Sequence, residues 1–132
     1  METNVWPSVS IGGNRFQLKL TLAALRRLEE WGVDLNKTFR VPTEEQPRTS
    51  AEANDVNRTL CTKAAAYAHI ETAAGKLSYA RLTPEEVEDT LTLADIGIVA
   101  QAVAECEGKA VRDAALSQAT PANAQGVAET AG

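Results

Sequence analysis

Residues that could act as nucleophiles or metal ligands are few in this chain. It contains two cysteines, Cys61 and Cys106, and a single histidine, His69. A structural zinc site needs four ligands, usually supplied as closely spaced pairs, and the sequence has no CxxC motif. We therefore predict that no metal is bound and that both cysteines are buried, reduced thiols.

Nucleophilic catalysis of the serine or cysteine type would have to use His69 as its base. Nothing in the sequence places a nucleophile beside this histidine, so a surface or core role is the simpler interpretation. The Gly12-Gly13 pair lacks the further glycine, the lysine and the immediate helix of a phosphate-binding loop. We therefore predict neither enzymatic activity nor a cofactor.

Adjacent carboxylates are plentiful, for example at Glu29-Glu30, Glu44-Glu45 and Glu85-Glu86. Neighbouring residues on a helix point in different directions, so such pairs are typical of helix ends and loops rather than of acid–base sites. A site built from carboxylates that are distant in sequence stays open as an alternative.

Composition and charge favour a small protein-binding domain. The chain has 132 residues, 44% of them hydrophobic but only 5% aromatic, and a net charge of −5. An acidic chain is a poor ligand for phosphate backbones, and Arg26-Arg27 is the only adjacent basic pair, so we expect no nucleic-acid binding. Without a signal peptide or a long apolar run, we expect a cytoplasmic protein that does not enter a membrane.

The N-terminal third has the pattern of a β-hairpin followed by a helix. Apolar and polar residues alternate on both sides of Gly12-Gly13-Asn14, which predicts a hairpin over about 8–20. A stripe of leucines ending at Trp31, just before Gly32, predicts a helix over about 22–31 that packs on this hairpin. The connector 32–50 contains two prolines; we expect its first half to fold back on the core and 42–50 to be mobile.

The remainder is predicted to be helical up to a polar tail. The patterns indicate helices over about 51–74, 84–91 and 93–107 or longer. Thr83, Pro84 and Glu86 form a capping box with proline in the first turn, and Thr92 with Asp95 repeats the cap. We predict a mainly α fold with a small N-terminal hairpin (α+β), a single domain over 1–116, and a disordered tail over 117–132.

Small side chains in the second predicted helix suggest a surface for a partner. Ala64, Ala65 and Ala68 would let another helix approach closely, and Trp31 is a further candidate protein-binding residue. The alternative is that this helix packs wholly inside the domain.

Four segments carry a family resemblance: residues 11–21 (IGGNRFQLKLT), 25–29 (LRRLE), 82–87 (LTPEEV) and 93–96 (LADI). In this order they resemble the tail assembly chaperones of long-tailed bacteriophages and gene transfer agents. In that family a short hairpin leads into small helices, and a "hydrophobic-T-P-E-E-V" helix start precedes an Ala/Val-rich last helix. The alanine-rich second helix, with Cys61-Thr62, departs from the bulkier apolar stretch of the family.

The resemblance implies a non-enzymatic protein that is absent from the finished virion. It would bind the tape measure protein, keep its apolar helices soluble and help to recruit tail tube subunits in the host cytoplasm. A longer form made by ribosomal frameshifting is common in the family, and Gly108-Lys109 is a candidate site at the start of the weakly structured region. Two alternatives stay open: a structural virion component such as a head–tail connector or tail completion protein, and a small regulatory binding protein.

Overall fold

The computed structural model describes residues 5–119, which form a mainly α, α+β fold with four helices and one antiparallel sheet. Within this part of the chain, the sheet has four strands in the order β1-β2-β3-β4. The elements are β1 (Ser8–Ile11), β2 (Asn14–Leu18), α1 (Leu22–Glu30), α2 (Ser50–Tyr67), β3 (Ala68–Glu71), β4 (Leu77–Tyr79), α3 (Pro84–Thr90) and α4 (Leu93–Ala119).

The predicted N-terminal hairpin is confirmed, and its register buries one face. Val9 pairs with Phe16, and Leu18 pairs with Ala68 of β3, so that these side chains share the face that the helices cover. The glycines at the β1–β2 turn have positive φ angles, as a tight hairpin requires.

The predicted second helix is wrong at its C-terminal end. Instead of continuing to 74, α2 ends at Tyr67, and the chain passes directly into β3. A neighbouring backbone amide satisfies the last carbonyl of α2, because Lys19 N donates a 2.9 Å hydrogen bond to the carbonyl of Tyr67. In a longer helix, that carbonyl would accept from an amide one turn further on. Pairing with β2 and β4 thus outweighs the helix propensity of the alanines around this junction. Gly75 does not stop a helix but lies in the β3–β4 turn with φ +79°.

The predicted helix starts are confirmed at α1 and α3. The hydroxyl of Thr21 accepts a hydrogen bond from the amide of Ala24, and Thr83 forms a full capping box with Glu86 behind Pro84. At α2 the cap is Thr49, which forms its own capping box with Glu52. The α3 capping box depends on residues three positions apart, which is why the sequence predicts it, whereas the α2 capping box was not predicted.

The last helix follows the longer of its two predicted lengths. Gly108 does not end α4, which continues to Ala119. The predicted disordered tail over 117–132 is therefore wrong for 117–119, because alanine-rich sequence continues the helix; residues 120–132 lie outside the described residues. Lys109 is buried within α4, so Gly108-Lys109 is not at the start of a weakly structured region either.

Buried side chains from the sheet and all four helices form one apolar cluster. The predicted stripe of α1 is partly wrong, because Leu22 is 85% exposed whereas Ala24 and Leu28 are buried. In the connector, Val33 and Phe39 are half-buried as expected, but Leu35 and Val41 are exposed.

Candidate protein-binding surface

The three alanines proposed to contact a partner lie inside the domain. Ala64, Ala65 and Ala68 are 0% exposed and belong to the apolar core. The close approach that small side chains permit is thus used by elements of this chain, and that surface prediction is corrected for the folded domain. Trp31, the fourth candidate, is only half-buried and lines two depressions at the surface.

Three adjoining depressions along α2 share Arg58 in their walls, and we refer to them together as the Arg58 groove. Their volumes are about 250, 460 and 310 Å³, passing from the connector to the α3–α4 corner. One end is aromatic and the other aliphatic, with charged side chains between them. The main lining residues are Trp31, Phe39, Arg58, Thr62, Glu88, Leu91, Leu93 and Ile96.

Helix α4 carries a second apolar face in addition to the one that it buries. Its inner face places Val99, Val103 and Cys106 in the core. On the opposite side, uncharged residues recur at intervals of three or four positions, the spacing of a single helical stripe. This outer face consists of Leu93, Gly97, Ala100, Ala104, Gly108, Val111 and Ala115.

Most of the outer face is open to solvent. Leu93 and Val111 are 82% and 69% exposed, and Ala104 and Ala115 are also exposed. From Leu93 to Ala115 the face is about 33 Å long, since a helix rises by about 1.5 Å per residue. Leu93 also lines the Arg58 groove, so the two features form one continuous surface.

The glycines of the outer face have no packing role within the described domain. A Cβ atom added at Gly97 would meet nothing within 4 Å, and one at Gly108 would meet only the flexible guanidinium of Arg112. Glycine in a helix interior costs about 1 kcal/mol relative to alanine. The helix therefore carries a stability cost at Gly97 and Gly108, and the absence of side chains there leaves this face flat.

Polar contacts between α2 and α4 fix which face of α4 points outward. The buried Tyr67 hydroxyl donates a 2.8 Å hydrogen bond to Glu107, and Lys63 forms a 3.0 Å ion pair with the same carboxylate. Burial and the neighbouring carboxylate raise the pKa of Tyr67, which keeps the phenol protonated. At the start of α4, the amide and hydroxyl of Thr92 donate to Asp95, which holds the corner beside Leu93.

The potential nucleophiles are placed in the interior. Cys61 and Cys106 are free and buried, as predicted. Burial, with a smaller contribution from the charge of Glu107, raises the pKa of Cys106 to about 12. Burial, with a smaller contribution from Glu88, also raises the pKa of Cys61. His69 is buried beside β2, and its Nδ1 lies 2.7 Å from the carbonyl oxygen of Tyr67. A thiol with a raised pKa is a weak nucleophile because little thiolate forms at neutral pH.

Between residues 5 and 119, no three histidine, cysteine or acidic side chains cluster closely enough to hold a metal ion. Over the same part of the chain, none of the helices combines the length and apolar character needed to cross a bilayer. Comparisons of the chain with family models, with curated proteins and with solved structures find no match.

The outer face of α4 was missed in the sequence because α4 has two apolar stripes. The more hydrophobic stripe, through Val99, Val103 and Cys106, faces the core. The positions from Leu93 to Ala115 carry an equally regular pattern, whose small side chains give a weak hydrophobic signal. A search for a second charge-free stripe on the longest helix would have found it.

Proposed function

We propose that this chain is a non-enzymatic tail assembly chaperone of a long-tailed bacteriophage or gene transfer agent. It would bind apolar helical segments of the tape measure protein and help to recruit the tail tube protein. It would act in the host cytoplasm and be absent from the mature virion. A frameshifted longer form of the chain is a further proposed partner.

The outer face of α4 is the observation that carries this proposal. A helix that is apolar on the core side normally presents charged residues to water on the other side. Here the opposite side is charge-free over about 33 Å, or six helical turns. A partner helix laid along this face would bury Leu93 and Val111, and the glycines and alanines between them would allow a short distance between helix axes.

The charge of the chain fits a chaperone for an apolar client. The net charge of −5 would be kept at the surface of a complex, where it opposes aggregation. The side chains that flank the outer face, among them Glu105 and Arg112, would form the polar rim of such an interface.

Co-expression with a tape measure protein of the same phage or gene transfer agent tests this proposal. We expect the tape measure protein to be soluble only with this chain, and the two to co-elute in size exclusion at moderate salt. Equal solubility with and without the chain, and no complex, would contradict the chaperone function. Recovery of the chain in purified virions would support a structural component instead, and tight binding to a repressor or toxin a regulatory protein.

A further inference from the structure

Arg58 lacks the carboxylate partner that three other cations of the connector and α2 have. Arg40 donates hydrogen bonds to both carboxylate oxygens of Glu52, Lys37 pairs with Asp55, and Lys63 pairs with Glu107. In contrast, the guanidinium of Arg58 forms no hydrogen bond or ion pair with any of residues 5–119. It is exposed and lines each of the three depressions of the Arg58 groove.

Apolar side chains flank Arg58 on both sides. Trp31 lies on one side, and Leu91 and Ile96 lie on the other. A segment that covered these walls would also remove water from the guanidinium. Burying an unpaired charge is costly, so an occupant without a carboxylate at this point would bind poorly.

Glu88 adds the opposite charge to the same walls. It lines two of the three depressions with Arg58 and yet forms no ion pair with it. Glu85 lines the middle depression as well and forms no ion pair within residues 5–119, so the groove offers one unpaired cation and two unpaired anions. Its best complement carries an acidic and a basic side chain of its own, set among apolar residues.

We infer that Arg58 determines client specificity by pairing with an acidic side chain of the bound segment. Glu88 would orient the same segment by pairing with one of its basic side chains. The inference rests on the proposed chaperone function, and it names the client chemistry: an amphipathic segment with an acidic and a basic residue between apolar residues. Arginine suits this role because its planar fork binds a carboxylate through two hydrogen bonds.

Binding of overlapping peptides that cover the tape measure protein, each several helical turns long, tests this inference. We expect the peptides that bind the wild-type chain to carry an acidic residue flanked by apolar ones. Arg58→Glu should weaken their binding on the order of tenfold or more, because a like charge then faces the client carboxylate. Arg26→Glu is the matched control, since Arg26 is exposed on α1, outside the groove, and changes the net charge equally.

Reversal of the client charge completes the test. Replacing the acidic residue of a binding peptide by lysine should restore binding to Arg58→Glu and weaken binding to the wild type. Unchanged binding by Arg58→Glu, or an equal loss in Arg26→Glu, would overturn the role of Arg58 and leave the chaperone proposal intact. If no peptide binds the wild-type chain, both the role of Arg58 and the chaperone proposal are contradicted. Melting temperatures of the two variants establish that each is folded.

Discussion

The buried titratable side chains illustrate how residue chemistry follows from position. His69 was predicted to be a surface or core residue, and the structure places it at the β2–β3 pairing, where it is 6% exposed. The carbonyl of Tyr67 can only accept a hydrogen bond, so Nδ1 of His69 carries the proton and donates it. Such a histidine is a neutral structural residue, and its neutrality makes stability depend on pH.

We predict that the domain loses stability when the solution is acidified through the range in which histidine titrates. Burial lowers the pKa of His69 below its ordinary value, and the charges of Arg27 and Lys19 lower it further, against the opposing effect of the Tyr67 carbonyl. In the unfolded chain this histidine titrates near about 6.5. Below that pH the unfolded state binds the proton more readily, so the free energy of unfolding falls until the folded pKa is passed.

Melting temperatures at about pH 7.5 and about pH 5.5 check this, because ordinary carboxylates titrate below that interval. The wild-type chain should melt lower at the acidic value, and His69→Gln should show a smaller difference between the two. An equal difference in both proteins would show that His69 does not cause the pH dependence.

At the scale of elements, local signals were predictable and long-range pairing was not. The capping box of α3, the hairpin turn and the ends of α1 depend on residues a few positions apart, and the sequence predicted them. The Thr49–Glu52 capping box of α2 is equally local but was not predicted. Strand β3 depends on hydrogen bonds to β2, which lies about fifty residues earlier in the chain. Its four residues follow an alanine-rich helix, and no glycine or proline separates the strand from that helix. Helix propensity therefore extended the predicted helix through the strand.

We predict that Phe16→Ala lowers the free energy of unfolding by roughly 3–5 kcal/mol, the range for truncating a buried phenylalanine. Phe16 is 7% exposed on the buried face of the sheet, where it pairs with Val9. Phe16 also lines a shared depression with Leu82 and Val87, so it lies beside α3.

Denaturant unfolding measures this effect, with Phe39→Ala as the control. Phe39 is half-buried in the connector, outside the apolar cluster of buried residues, so its truncation should cost clearly less. A cost below ~1 kcal/mol for Phe16→Ala would mean that the hairpin register differs from the one described.

At the scale of the whole molecule, the fold class was predictable but the binding surface was not. The mainly α, α+β fold follows from helical periodicity and one hairpin, and the structure confirms it. The sequence predicted the binding surface on α2, whereas the structure exposes small residues on α4. Small residues allow a close helix contact equally well inside a domain or at its surface. Only the tertiary arrangement decides that Ala64 is buried and Ala104 is exposed.

The central claim is that the outer face of α4 binds the tape measure protein, and one pair of variants tests it directly. Ala104→Arg places a long charged side chain in the middle of that face, whereas Ala114→Arg makes the same change at an exposed position of α4 outside it. Both variants should fold, because neither position is buried. In affinity co-purification, we predict that Ala104→Arg no longer retains the tape measure protein and that Ala114→Arg retains it like the wild type. Retention of the tape measure protein by Ala104→Arg at the wild-type level would contradict this claim.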